Sequence, residues 1–326
     1  MTESTAPGLS ARRAAPRLSL VLAVLASVAV PVGLVLWAGW RDVAAAAAAI
    51  GVPAIGLALA SSLGNYLLRF ARWRRFLTAL GHAVPWRRNL RIYVAGLALT
   101  ATPGKVGELV RGLFLKADGV PYGQSFILFF WDRFSDLAGV LLLAVAAGGL
   151  VASGYHGLLL GIVALLGALW LLRPGGPLFA RTLYLIEGHT PRRWRAHLRG
   201  LRRLRHADAR LTPRLALLGV TLGASAYAIH GIGLTILAHA AGAPLDLPGA
   251  VLVVAVSTLM GAAVLLPGGA GMVEVTSVAL LVAQGVPEPQ AVALGLVHRL
   301  TTFWFAIGLG TGCLLTLLPE RHHARP

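Results

Sequence analysis

The 326 residues are 57% hydrophobic and only 13% charged, a balance that excludes an ordinary water-facing globular surface. The charge that remains is basic, 29 Lys and Arg against 12 Asp and Glu for a formal net charge of +17. It stands in blocks between long apolar runs, which argues against a nucleic-acid-binding surface and for contact with anionic lipid headgroups.

An uncharged apolar run of about 18 residues or more is long enough to cross a hydrocarbon core of roughly 30 Å. In chain order, 18–39, 51–68, 137–172, 215–245, 247–273 and 300–318 are such runs. The first lacks a crisp small-residue cleavage site and reads as a retained span. The third is too long for one crossing, and Gly154, Tyr155 and His156 supply a turn that makes it two helices. Arg12, Arg13 and Arg17 precede the first run, a block from Arg69 to Arg91 follows the second, eleven arginines lie in 173–214, and Arg321 and Arg325 close the chain. The positive-inside rule puts these blocks, and both termini, on the cytoplasmic side of the membrane. The loops near Trp40 and at 241–246 then face outward. A cytoplasmic basic N-terminus (1–17) therefore leads into a single transmembrane domain (18–326), interrupted by an Arg-rich linker at about 173–214.

An internal repeat organises that domain. Pro103-Gly104-Lys105-Val106-Gly107-Glu108 is echoed by Pro267-Gly268-Gly269-Ala270-Gly271, followed by Glu274. Glu108 and Glu274, Gly119 and Gly285, and Arg133 and Arg299 all stand 166 positions apart, while the prolines stand 164 apart. The halves run over about 50–152 and 215–318. Only about a dozen apolar residues precede Pro103, and Glu108, Arg111, Lys116 and Asp118 follow closely, so neither arm spans comfortably. A hairpin that enters from the cytoplasm, turns and returns fits better than a full crossing, with a kinked full span as the alternative. The second hairpin, with arms 247–266 and 271–283, would enter from outside. The predicted fold is thus an all-α polytopic membrane protein with about six full transmembrane helices, two re-entrant hairpins and an inverted repeat, a design in which broken helices line a cavity.

Charges within such segments cost about 2.5 to 3.5 kcal/mol each on insertion scales, so they are paired or functional. Lys105, Glu108 and Arg111 are three apart and share a helical face, as do Asp132, Arg133 and Asp136 at the start of the next span. Glu274 has no basic neighbour in sequence, and the repeat offers Arg299 as its partner. The functional interpretation gives Lys105, Arg133 and Arg299 a lipid phosphate, with the Gly-rich turns presenting backbone N–H groups and the glutamates holding the cations. The structural alternative is a set of salt bridges packing the hairpins. Residues 192–205 suit an amphipathic surface helix, and Arg69, Arg72, Arg74 and Arg75 with Trp73 read as an interfacial anchor. His230 and His239, nine apart, have no metal-ligand spacing, and lone Cys313 provides no Cys-based site, so we expect neither metal nor cofactor.

The ordered set Arg69-x-x-Arg72-Trp73, Pro103-Gly104-Lys105-x-Gly107-Glu108 with Arg111, Asp132-Arg133, and Pro267-Gly268-Gly269-x-Gly271 with Glu274 and Arg299 resembles the lysylphosphatidylglycerol synthase transmembrane region, also called the flippase-like or UPF0104 family. The resemblance covers residues 51–318. It implies lipid handling, since in the two-part synthases of that family the membrane region is associated with flipping aminoacylated phosphatidylglycerol that a soluble C-terminal domain makes. Here the sequence closes at Pro326, directly after the last span, so aminoacyl transfer is not carried over. The expected function is translocation of a membrane phospholipid or glycolipid, with a membrane-embedded phosphatase or glycosyltransferase, or a regulatory subunit, as alternatives. No Ser, Cys or His nucleophile follows the first turn closely, although Asp132 and Asp136 keep a metal-assisted enzyme open. The oligomeric state has no signature in the sequence.

Overall fold

The computed structural model describes residues 29–102, 107–151, 206–264 and 266–322, with a few positions between 167 and 185. The expected turn residues Pro103, Gly104 and Lys105, the turn at Gly154 to His156, and the amphipathic segment 192–205 lie outside the described residues. All regular structure among those residues is helical. Helix α1 is described over 29–37, followed by α2 (Trp40–Ala79), α3 (Trp86–Leu97), α4 (Val110–Leu115), α5 (Tyr122–Val151), α6 (Pro213–Ala240), α7 (Leu247–Ala263), α8 (Met272–Ala283), α9 (Glu288–Arg299) and α10 (Phe305–His322). A π-turn, Leu300–Trp304, joins α9 to α10.

Among the described residues, three helical stretches are long and apolar enough to cross a membrane: Trp40–Ala79, Pro213–Ala240 and Glu288–Leu318. Helix α2 is broken at Gly51, whose φ of 72° and ψ of 157° are not helical. Pro53 follows the break, where its missing N–H leaves no helical bond unmade. The part after the break, 53–79, is about 40 Å long at 1.5 Å per residue, enough to cross and protrude. Thr212 caps α6 by accepting from the Leu215 N–H, and Pro213 occupies its first turn. Helices α7 and α8, of 17 and 12 residues, pack against each other across the Pro267–Gly269 turn.

Small residues bring the central helices together, as expected where packing rather than water exclusion drives association. Along the α2 and α6 interface, Ser61 meets Gly233, Asn65 Nδ2 donates to Ala226 O at 2.7 Å, and Phe76 meets Gly219. Rising numbers on α2 face falling numbers on α6, so the two run antiparallel. Gly139 of α5 lies on the α6 backbone so closely that a Cβ there would come within 2.4 Å of the Ala224 nitrogen.

Across the sequence, α3 lies on α10, α7 lies on α5, α2 contacts α9, and α6 contacts α5. Two cores result. One gathers Trp73, Tyr93 and Trp131 from α2, α3 and α5. The other gathers Leu234, Val253 and Leu294 from α6, α7 and α9.

Candidate functional site

Asp132 and Asp136 stand four apart on α5, and their shared face meets Arg69 and Arg72, three apart on α2. Arg69 Nη2 donates to Asp136 Oδ2 at 2.7 Å, Arg72 Nε to Asp132 Oδ1 at 3.1 Å, and Arg72 Nη2 to Asp136 Oδ1 at 2.7 Å. These two arginines are not interfacial anchors, as their place beside Trp73 had suggested. Arg69 is 5% exposed and Arg72 wholly buried, because the carboxylates that pair with them come from a helix 60 or more residues away. Arg74 and Arg75 are the exposed pair.

Glu108, in the short turn ahead of α4, extends the cluster. Arg111 Nη2 lies 3.0 Å from Glu108 Oε2, and Arg133 Nη2 lies 3.3 Å from the same oxygen. Arg133 Nη2 also lies 2.6 Å from Asp132 Oδ2 and 3.1 Å from Asp136 Oδ2. Arg111 rests against Tyr93 and Trp73, its Cζ 4.1 Å and 5.2 Å from their ring centroids. Gly96 makes room for it, since a Cβ there would fall 2.2 Å from Arg111 Nε. Among the described residues, four guanidinium groups meet three carboxylates, leaving one positive charge in excess. A lone buried charge is costly, and each group here has an opposite partner.

A smaller cluster forms in the second half. Glu274 sits in the first turn of α8, where Oε2 accepts from the Gly271 N–H at 2.8 Å and Oε1 accepts from Arg299 Nε at 2.8 Å. Arg299 Nη2 also donates to the Gly268 carbonyl, and its Cζ lies 4.0 Å from the Phe303 ring centroid. Gly268, Gly269 and Gly271 all have positive φ, 63°, 68° and 84°, a conformation that glycine adopts without the penalty a Cβ brings. Arg299 is the expected partner of Glu274. The pairs Glu108 with Arg133 and Glu274 with Arg299 have the same 25-residue spacing.

The two clusters face one cavity of about 340 Å³. Its polar lining includes Arg133 and Asp136 from the first cluster, and Glu274 and Arg299 from the second. Much of the remaining wall is apolar, from α5, α6 and α7. Arg133 and Arg299 keep side-chain exposures of 15% and 14%, whereas Arg72 and Arg111 have 0% and 2%. The first two can therefore meet a ligand, while Arg72, Arg111 and Glu108 are closed off behind them.

Of the site residues read from sequence, the structure brings together Glu108, Arg111, Asp132, Arg133 and Asp136 around one cluster, and Glu274, Arg299, Pro267, Gly268, Gly269 and Gly271 around the other. The Gly107 N–H donates to Thr102 Oγ1 at 2.6 Å. Sequence reasoning missed Arg69 and Arg72 as members of the cluster. Their i,i+3 spacing against the i,i+4 spacing of Asp132 and Asp136 was the available signal. It also missed His298, which lies perpendicular to His230 with ring centroids 6.1 Å apart, both rings on the cavity. His298 stands 166 positions after Asp132.

Long apolar helices, paired charges and a cavity between them define a helical membrane protein with an internal polar site. Residues 20–310 match the family described as the lysylphosphatidylglycerol synthase TM region, and the chain belongs to that family. It is also similar to a UPF0104 membrane protein of Methanothermobacter thermautotrophicus, 24% identical over 317 residues that cover 87% of this chain and 89% of that protein.

Proposed function

We propose that this protein is a flippase-like lipid translocase of the bacterial inner membrane, with both termini cytoplasmic, that moves an anionic or modified lipid through a midplane site between two opposed re-entrant hairpins. One observation carries the proposal: the equivalent pairs Glu108 with Arg133 and Glu274 with Arg299 converge on one cavity, and their arginines keep access to it. Arg133 and Arg299, with Lys105 assigned from sequence, receive the headgroup. Glu108 and Glu274 hold the cations, and Arg111, Asp132 and Asp136 support them.

The antiparallel course of α2 and α6, which occupy equivalent places in the two halves, supports an inverted repeat. So does the reciprocal packing of α3 on α10 and α7 on α5. The short paired helices α7 and α8, at 17 and 12 residues, support a hairpin that turns within the bilayer, where irregular backbone is tolerated only against a cavity. With α3 and α4 they complete the opposed pair, and about six full crossings surround them.

The test is reconstitution in liposomes carrying labelled anionic phospholipid, following leaflet distribution and headgroup chemistry together. Redistribution without a new product, lost in folded Arg133→Ala and Glu274→Ala variants, is the expected result. A new headgroup product would replace transport with an embedded enzyme activity. Redistribution unchanged in both variants would remove the proposed site.

A further inference from the structure

In the register that places Arg133 on Arg299, α5 continues as regular α-helix through 134–138, whereas the equivalent Leu300–Trp304 is a π-turn. Here the Phe305 N–H reaches back to Leu300 O, five residues earlier. Such turns are rare and often mark functional sites. Winding one extra residue into the helix shifts its facing by about 100°. The preceding Arg299 and the included Phe303, four apart, stack, with the guanidinium turned toward Glu274 and the Gly268 carbonyl.

Side chains hold the turn from two sides. Thr301 and Thr302 hydroxyls donate to His298 O at 3.1 Å and 2.7 Å. From another helix, the Tyr66 hydroxyl of α2 donates to Thr302 O at 2.5 Å, and its ring stacks on Phe305 with centroids 6.2 Å apart. Tyr66 is 6% exposed and lines the same cavity. In the same register the second half has Ile232 in place of Tyr66 and Thr302 in place of Asp136. Beyond the glutamate that each arginine binds, the first half thus adds two aspartates to its arginine, and the second a tyrosine that grips the backbone.

We infer that Tyr66 is a positioning residue for Arg299: it pins the π-turn so that the guanidinium stays in the cavity, bound to Glu274 and open to a headgroup. Its consequence for transport rests on the proposed translocase function, while the pinning itself does not.

The test is Tyr66→Phe, which keeps the stacked ring and removes the donor, read by amide hydrogen exchange in lipid nanodiscs. Exchange over 300–305 should rise roughly 3- to 10-fold, the equivalent of one hydrogen bond, and the Gly271 amide should follow because Arg299 no longer fixes Glu274. In phosphatidylglycerol vesicles, the half-saturating lipid fraction should rise by a similar factor with the maximal rate kept. The loss should not add to that of Arg299→Lys, since both act on one group. Unchanged exchange at 300–305 would overturn the pinning. Faster exchange there with Gly271 or the half-saturating fraction unchanged, or fully additive losses, would overturn the positioning role. If the unaltered protein moves no lipid, the translocase proposal fails and the Gly271 amide alone decides this one.

Discussion

Arg299 and Glu274, 25 residues apart, meet through an Nε to Oε1 hydrogen bond of 2.8 Å at the edge of the cavity. The same glutamate holds the Gly271 N–H, so one carboxylate ties the end of α9 to the start of α8. Removing either partner strands the other in a mostly buried site. Glu274→Ala and Arg299→Ala should each destabilise the protein by about 3 kcal/mol, the low end for a broken buried pair because both side chains keep some exposure. Losing both should cost clearly less than the sum, as a double-mutant cycle of unfolding in detergent would measure.

Asp132 is wholly buried and faces Arg72, Arg111 and Arg133. Asp132→Ala leaves three guanidinium groups short of a carboxylate and should cost about 3–5 kcal/mol or more. The expected signature is loss of monodisperse protein on size exclusion, at expression levels where Arg74→Ala, on the exposed face of α2, runs as a single peak.

Gly268 has two reasons to be glycine. Its φ is +63°, and a Cβ would lie 2.4 Å from Phe303 Cζ. Gly268→Ala should therefore cost about 1–2 kcal/mol from the left-handed backbone and move Phe303 off Arg299. Lower thermal stability together with changed fluorescence of the neighbouring Trp304 would be its readout.

At the crossing of α5 and α6 the obstacle is backbone, which cannot step aside. Gly139→Ala should force the helices apart at a cost of about 1–3 kcal/mol, whereas Gly149→Ala, where an added Cβ meets nothing within 4 Å, should be neutral or slightly stabilising. Melting curves of the two variants under one condition give the comparison.

Asp208 lies in the segment ahead of α6, and burial pushes its carboxyl above the usual aspartate range against the lowering effects of the Trp131 indole N–H and Arg173. The folded protein thus holds this proton more tightly than the unfolded chain. Its contribution to stability is present in full below the unfolded value of about 3.9 and is lost as pH rises through the raised folded value. Asp208→Asn has nothing to ionise. Its stability relative to the unaltered protein should improve with rising pH across that window, as unfolding at stepped pH would show.

Apolar run length by itself marked this chain as a helical membrane protein, because a hydrocarbon slab imposes a length on what crosses it. The 166-residue spacing likewise offered Arg299 as the partner of Glu274, a pair that the folded chain forms. Only the folded chain showed that Arg69 and Arg72 belong to the buried cluster. Helical periodicity says which residues share a face but not which faces meet, and the partners of these arginines lie on α5, beyond two intervening helices. The same limit hid Tyr66, whose target is a main-chain carbonyl 236 residues away in a turn that no pattern of side chains announces.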